Sequence, residues 1–374
     1  MTRSAGDTAA QPSDRDGGVS EEAVVDFRAE PCFGDRHDLR SLGGHSPRCA
    51  RARRERGSMM RAGIASSVLD AIGGTPLVRL THVVPGEAAQ VLVKLEGGNP
   101  TGSYKDRMAL AMIEGAERAG VLQRGRRVVE YTGGSTGSSL AFICAVKGYP
   151  LSIVTSDAFA PEKLSTMSAF GADLTVVPSE GGRITPSLFD RMREEVDRIV
   201  AREGAFWTDQ FRNTHALAGY ERMGREILEQ ARAGGVTVDA FCAGVGTGGM
   251  MAGVNAAFRA DHLPTRFVAL EPASSPMLTA GHGGPHRVEG IGTGMIPPLL
   301  TSAVFDEARV VDEDEARGLA LRLARREGLF AGTSSAVNVS GAIKLARELG
   351  PGHSVVTIAV DTGLKYLSGD LFTE

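Results

Sequence analysis

The chain has few cysteines and no order among them. Cys32, Cys49, Cys144 and Cys242 form no Cys-x-x-Cys pair and no zinc-like grouping. No cysteine-based metal site is expected, and reduced thiols are the default state. No apolar run approaches the roughly 20 residues that a membrane helix needs, so no membrane contact is expected. An excess of one charge is missing as well. The 41 Lys and Arg nearly balance the 45 Asp and Glu, for a net charge of −4, which argues against a nucleic-acid partner. No segment repeats at a fixed period, so a repeat architecture is not expected.

Residues 1–60 lack apolar periodicity and are rich in Arg, Asp, Gly and Ser. The run Arg51–Arg56 suggests a basic targeting arm, but the interspersed acids and the missing apolar face argue against a transit or signal peptide. A disordered N-terminal tail is expected, ending near Met59 and Met60. Cys32 and His37 read as a chance pairing rather than as haem ligands.

What is present begins after the tail. The length of 374 residues favours two domains, and 42% hydrophobic content suffices for large cores. Apolar runs at Val91–Leu95, Arg127–Tyr131, Leu151–Thr155, Leu174–Val177, Ala240–Ala243, Phe267–Leu270 and Val355–Val360 read as strands. Between them, helical patterns cover Arg107–Arg118, Leu140–Lys147, Pro161–Phe170, Ser187–Arg202, Tyr220–Ala233, Met250–Arg259, Asp314–Glu327 and Ala336–Leu349. This alternation predicts an α/β fold with parallel sheets covered on both faces.

Four segments carry chemistry. Asn99–Arg107 sets Lys105 at a strand-to-helix junction, where an amine near neutrality suits Schiff-base formation. A lone lysine reads as a surface residue; the other three segments change that reading. Gly244-Val245-Gly246-Thr247-Gly248-Gly249-Met250 joins a buried strand to a helix, which makes a phosphate cup of backbone N–H groups. It lacks the lysine of a nucleoside-triphosphate loop and the glycine spacing of a dinucleotide site. Tyr131–Ser139 joins another strand to a helix and suits a small anion such as an α-carboxylate, or forms a polar helix cap. Gly328–Ser335 offers a serine hydroxyl to a cofactor's ring nitrogen, or caps a helix.

Together these segments resemble the cysteine synthase/cystathionine β-synthase family of fold type II pyridoxal-phosphate enzymes. The resemblance starts at Ile72–Leu80, passes through Lys94-Leu95-Glu96 and Gly290–Gly294, and ends with Asp361–Ser368. It implies two doubly wound α/β domains with pyridoxal 5'-phosphate in the cleft between them. A larger cofactor-binding domain would comprise 61–98 with 210–374, and a smaller mobile domain 99–209. Lys105 would carry the cofactor and act as the catalytic base. Gly246, Thr247, Gly248, Gly249 and Met250 would bind its phosphate, Ser334 its ring nitrogen, and Ser135 its ring hydroxyl. Thr132, Gly133, Gly134, Thr136 and Gln210 would bind substrate. No metal is implied.

The resemblance further implies β-replacement on O-acetylserine, O-phosphoserine or serine by sulfide, a thiol or another nucleophile. The protein would be a cytoplasmic homodimer. A lyase or deaminase of the same fold, and a low-turnover cofactor-binding protein acting through a partner, are the alternatives. The departures lie on the substrate side. The family's Thr-Ser-Gly-Asn-Thr-Gly loop is here Thr132-Gly133-Gly134-Ser135-Thr136-Gly137, and Met250 stands where threonine is frequent. Ser135 is therefore expected to shift donor preference.

Overall fold

Strand-sized apolar runs alternating with amphipathic helices bury most surface as a parallel sheet with helices on both faces. The computed structural model describes residues 64–183 and 185–373. The expectations for the tail, Cys32, His37 and Cys49 lie outside those residues.

In chain order, the first elements are β1 Leu77–Arg79, β2 Gln90–Leu95, α1 Lys105–Arg118, β3 Val128–Tyr131 and α2 Ser135–Lys147. Next come β4 Leu151–Ser156, α3 Pro161–Ala169, β5 Asp173–Val177, α4 Pro186–Glu203, β6 Phe206–Trp207 and α5 Ala216–Ala233. Then follow β7 Ala240–Gly244, α6 Gly249–Ala260, β8 Arg266–Pro272, α7 Met277–Ala280 and β9 Glu307–Val311. The chain closes with α8 Glu313–Glu327, α9 Thr333–Leu349 and β10 Ser354–Ala359.

Six strands form one sheet in the order β1-β2-β10-β7-β8-β9, and four form a second in the order β5-β4-β3-β6. Only the β1–β2 pairing is antiparallel. Side-chain alternation divides the larger sheet between two cores. Phe241, Phe267, Val356 and Ile358 enter one core with Met223, Ile227, Val254 and Phe258 of α5 and α6. Their neighbours Ala240, Cys242, Val268 and Val355 enter the other, with Leu319, Leu323, Val337 and Ile343 of α8 and α9. The smaller sheet is covered on one face by α4, through Leu188, Met192, Val196 and Ile199.

Helix α1 joins the two halves. Met108, Met112 and Ile113 share one core with Leu140 and Ile143 of α2 and with Tyr220 of α5. Strands β2, β10 and β7 are parallel neighbours, so the loops after their C-terminal ends open on one edge of the sheet. In open α/β sheets that edge is where ligands bind.

Two kinds of element escape the sequence pattern. Edge strands β1 and β9 are only partly buried and β6 has two residues, so none shows a clean apolar period. Helices α1, α2 and α9 begin earlier than expected, at Lys105, Ser135 and Thr333. Their first turns are polar yet buried, and polar residues there read as loop.

Candidate active site

The turn before Lys105 is pinned at several points. Gly102 adopts φ 72°, and its N–H donates to the Asn99 carbonyl at 2.7 Å. The Gly73 N–H donates to Asn99 Oδ1 at 2.9 Å, and the Tyr104 N–H donates to the Val360 carbonyl at 2.9 Å. Asp106 accepts from Thr101 N–H at 2.8 Å and from its hydroxyl at 2.6 Å. The loop after β2 is thereby stitched to the end of β10.

Lys105 opens α1 and is buried. Its Nζ lies 3.9 Å from Met108 Sδ and 5.0 Å from the centre of the Tyr104 ring, and no oxygen acceptor meets it among the described residues. Burial lowers its pKa to about 8, with Glu130 acting in the opposite sense. A desolvated amine without a counter-ion is the form that attacks a carbonyl.

Two residues further on, Arg107 is held by two carboxylates. Its guanidinium donates to Glu96 at 2.7 and 2.9 Å and to Glu226 at 2.9 and 2.8 Å. Glu226 also accepts from Lys94 Nζ at 3.0 Å, and Thr75 donates its hydroxyl to Glu96 at 2.6 Å. Paired and hydrogen-bonded, these charges tolerate burial, and they fix the N-terminal turn of α1.

The glycine cup follows β7. Gly248 adopts φ 80°, and α6 starts after it with no side-chain cap. Residues Gly246, Thr247 and Gly248 are buried, yet among the described residues their N–H groups donate to no protein acceptor. Unsatisfied buried N–H groups at a helix N-terminus constitute an anion site. Gly246 and Gly248 cannot take side chains: a Cβ on Gly246 would lie 2.2 Å from the Gly290 carbonyl oxygen, and one on Gly248 2.8 Å from Leu300 Cβ. Met250 is buried in the apolar core. The cup reaches the lysine through aromatic rings, since Tyr220 lies against Gly249 and 5.5 Å from the Tyr104 ring.

At the start of α9, Thr333 Oγ1 accepts from Glu289 N–H at 3.4 Å and Ser335 Oγ accepts from Val360 N–H at 3.0 Å. Ser334 is buried, and its hydroxyl makes no hydrogen bond among the described residues. Of the three it is the one left free for a ligand.

The loop after β3 completes the site. Thr132 Oγ1 accepts from Gly134 N–H at 3.1 Å, and the Thr136 hydroxyl donates to Gln210 Oε1 at 2.7 Å. Ser135 Oγ accepts from Lys365 Nζ at 3.2 Å. Gly133 has a steric cause: a Cβ there would fall 1.8 Å from Phe159 Cγ, so the ring occupies the place of the family's serine. The segment touches the lysine loop where Ser139 Oγ lies 3.4 Å from Thr101 Oγ1.

Several residues that shape this side were not foreseen. Glu130 is fully buried, and burial raises its pKa to about 7 although four donors face it. These are the N–H groups of Tyr131 and Gln210, both at 3.0 Å, the Thr208 hydroxyl at 2.6 Å and Trp207 Nε1 at 3.2 Å. Glu130 thus aims Gln210, which follows Asp209 at the unusual φ of 41°. Lys163 on α3 is ion-paired with Glu289 and lies 4.9 Å from the centre of the Tyr366 ring. The Tyr366 hydroxyl donates to Asp361 at 2.7 Å. Glu130 is the inward residue of an apolar strand, a signal that was available; the others depend on tertiary contacts.

A buried free amine beside an anion cup and a free hydroxyl defines an α/β enzyme that holds a phosphorylated carbonyl compound. Residues 68–361 match the profile of the family described as pyridoxal-phosphate dependent enzyme, and the chain belongs to that family. It is 41% identical over 308 residues to a cysteine synthase of Staphylococcus aureus, covering 82% of this chain and 97% of that protein. Among solved structures, an O-ureido-L-serine synthase superposes with a TM-score of 0.76 at 35% identity, over 83% of this chain and 96% of the other. A cysteine synthase of Entamoeba histolytica superposes with a TM-score of 0.77 at 31% identity, over 85% and 93%. The cofactor is pyridoxal 5'-phosphate, and the donor set fits it: unpaired N–H groups for a phosphate, an unpaired amine for an aldehyde.

Proposed function

We propose that the protein replaces the β-substituent of an O-activated serine (O-acetylserine, O-phosphoserine or serine) with sulfide, a thiol or another nucleophile. The product is cysteine or a related β-substituted alanine. The observation that carries this reading is the buried Lys105 amine facing no oxygen acceptor. The likeness to cysteine synthases and to an O-ureido-L-serine synthase supports it.

When bound, pyridoxal phosphate withdraws electrons from an amino acid's Cα and acidifies the α-proton. Gly246, Thr247, Gly248 and Gly249 would hold its phosphate through N–H groups, and Ser334 would face its ring nitrogen. Lys105 would hold the cofactor covalently, be displaced by the substrate's amine, and take the α-proton on Nζ. That proton abstraction would let the Cβ–O bond break, with its electron pair leaving on the substituent. After a nucleophile had added at Cβ, Lys105 would return the proton to Cα. Thr132, Thr136 and Gln210 would orient the α-carboxylate, and the burial of this side would keep water from Cβ.

We read 99–209 as the smaller body that closes over 61–98 with 210–374, and the active form as a cytoplasmic homodimer. Sedimentation and ligand-dependent scattering test both. Among the described residues no helix is long and apolar enough to cross a membrane.

The functional test incubates cofactor-loaded protein with O-acetylserine, O-phosphoserine or serine, with and without sulfide. Cysteine formed only with sulfide is the expected result. Pyruvate from donor alone would make the protein a lyase. No consumption of any donor would leave a low-turnover binding protein.

A further inference from the structure

Lys365 belongs to the segment Asp361–Ser368, to which no role has been assigned. Its stem crosses the lysine loop, with Cε 3.7 Å from where a Cβ on Gly102 would lie, and its Nζ donates to Ser135 Oγ at 3.2 Å. Burial lowers its pKa, Asp361 and Asp106 oppose that, and Lys163 adds to it. An ammonium donates and never accepts, whereas a serine hydroxyl does both. Ser135 must therefore act as acceptor toward Lys365, and its own proton is turned elsewhere. Among the described residues nothing receives that proton.

The neighbours of Ser135 are set in the same way. Thr132 Oγ1 is filled by the Gly134 N–H, which leaves the Thr132 proton free. Gln210 Oε1 is filled by the Thr136 hydroxyl, and its amide NH2 meets no acceptor among the described residues although Gln210 is 7% exposed. Helix α2 starts here behind Gly134 with no side-chain cap and no acid in its first turn. Each group offers a proton, and a lysine adds a full positive charge to the end of the helix that is already positive. Asp361 and Asp106 offset part of that charge, but the free protons of Thr132, Ser135 and Gln210 still lack an acceptor among the described residues, and a carboxylate would supply one.

We propose that Lys365 is a positioning residue for the substrate's α-carboxylate. It fixes Ser135 as a donor and strengthens that donor by charge. This explains how serine serves where the family has asparagine: an amide carries its own N–H, whereas a serine needs a partner to decide its direction. The inference rests on the reading of the protein as an amino-acid β-replacing enzyme.

The test titrates the holoenzyme's absorbance with L-alanine, which has the carboxylate but no leaving group, and with L-alanine amide, which lacks the charge. Lys365→Met should weaken L-alanine binding by about tenfold, the scale of one charge-assisted bond, and leave the amide within about twofold. Lys365→Arg should restore most of the loss. Ser135→Ala should reproduce it, and the double variant should be no weaker than either single one, because Lys365 acts through Ser135. An alanine-to-amide ratio that Lys365→Met leaves unchanged, or fully additive losses, would overturn the proposal. Should Lys365→Met fail to fold, the ratio measured on Ser135→Ala decides in the same way. Failure of wild-type holoenzyme to bind L-alanine at all would instead count against the enzymatic reading itself.

Discussion

The two sides of the site are built from different materials. On the proposed cofactor side the candidate ligand groups are backbone N–H donors of Gly246–Gly248, one lysine and one serine, delivered by the loops after β2 and β7, which flank β10 in the larger sheet, and by the first turn of α9. On the proposed substrate side they are side chains, two of them held by distant segments: Gln210 by Glu130 and Thr136, and Ser135 by Lys365. A backbone cradle constrains sequence locally, because only glycine fits at positions 246 and 248. A side-chain cradle can be rebuilt by moving a donor from one segment to another. The first kind resists change, and the second is where specificity drifts.

The comparison breaks most readily at Arg107. Arg107→Met should cost about 3–5 kcal/mol, since it leaves Glu96 and Glu226 buried against less positive charge; urea unfolding measures this. Its pH signature is distinct. Burial opposes ionisation of Glu226, yet Arg107 and Lys94 hold its pKa at about 2. A carboxylate depressed on folding contributes stability above its unfolded value, lost as pH falls toward the folded one. The wild-type advantage over Arg107→Met should therefore persist at neutral pH and shrink between about 4.5 and 2.

Gly248→Asp comes next. It sets a carboxylate at φ 80°, with its Cβ 2.8 Å from that of Leu300, among donors meant for phosphate. Cofactor affinity should fall about a hundredfold or more by equilibrium dialysis, as expected for a like charge in an anion site. Unchanged affinity would mean that the cup is not where the phosphate sits.

Gly133→Ser restores the family's residue on the substrate side and should still destabilise, by about 1–3 kcal/mol, because Phe159 fills that place. Gly133→Ser with Phe159→Ala should recover the loss in thermal melts. If the single change is neutral, Phe159 does not hold the space and the substrate side is more permissive than argued.

The smallest effect sharpens the comparison. Lys105 titrates near 8 because burial disfavours its ammonium. Only the neutral amine attacks a carbonyl, so capture of the cofactor by apoprotein should accelerate with rising pH through a midpoint near 8. A midpoint near the ordinary lysine value of 10.5 would mean an open, solvated lysine.

These asymmetries explain what the sequence made legible. Strand-helix alternation was readable because Phe241 and Cys242 point to opposite cores and both must be apolar. The stretches around Lys105 and Gly246–Gly249 stood out because glycine spacing is local. β9 was invisible because an edge strand need not be apolar on both faces. The partner of Ser135 was invisible because Lys365 lies 230 positions away. The polar first turn of α2 read as loop because its hydroxyls bond to Lys365 and Gln210 rather than capping the helix.

The clamp on Arg107 bears on the lysine two residues before it. With the first turn of α1 held at both carboxylates, the Lys105 backbone cannot retreat. If Lys105 carries the cofactor as proposed, only its side-chain rotations would separate the released amine from the carbon it would serve. A tethered base of this kind acts at a high effective molarity, and reactions so constrained gain up to about 7–11 kcal/mol over their bimolecular counterparts. The fixed helix turn works as a leash: it sets how far the released amine can stray before it returns.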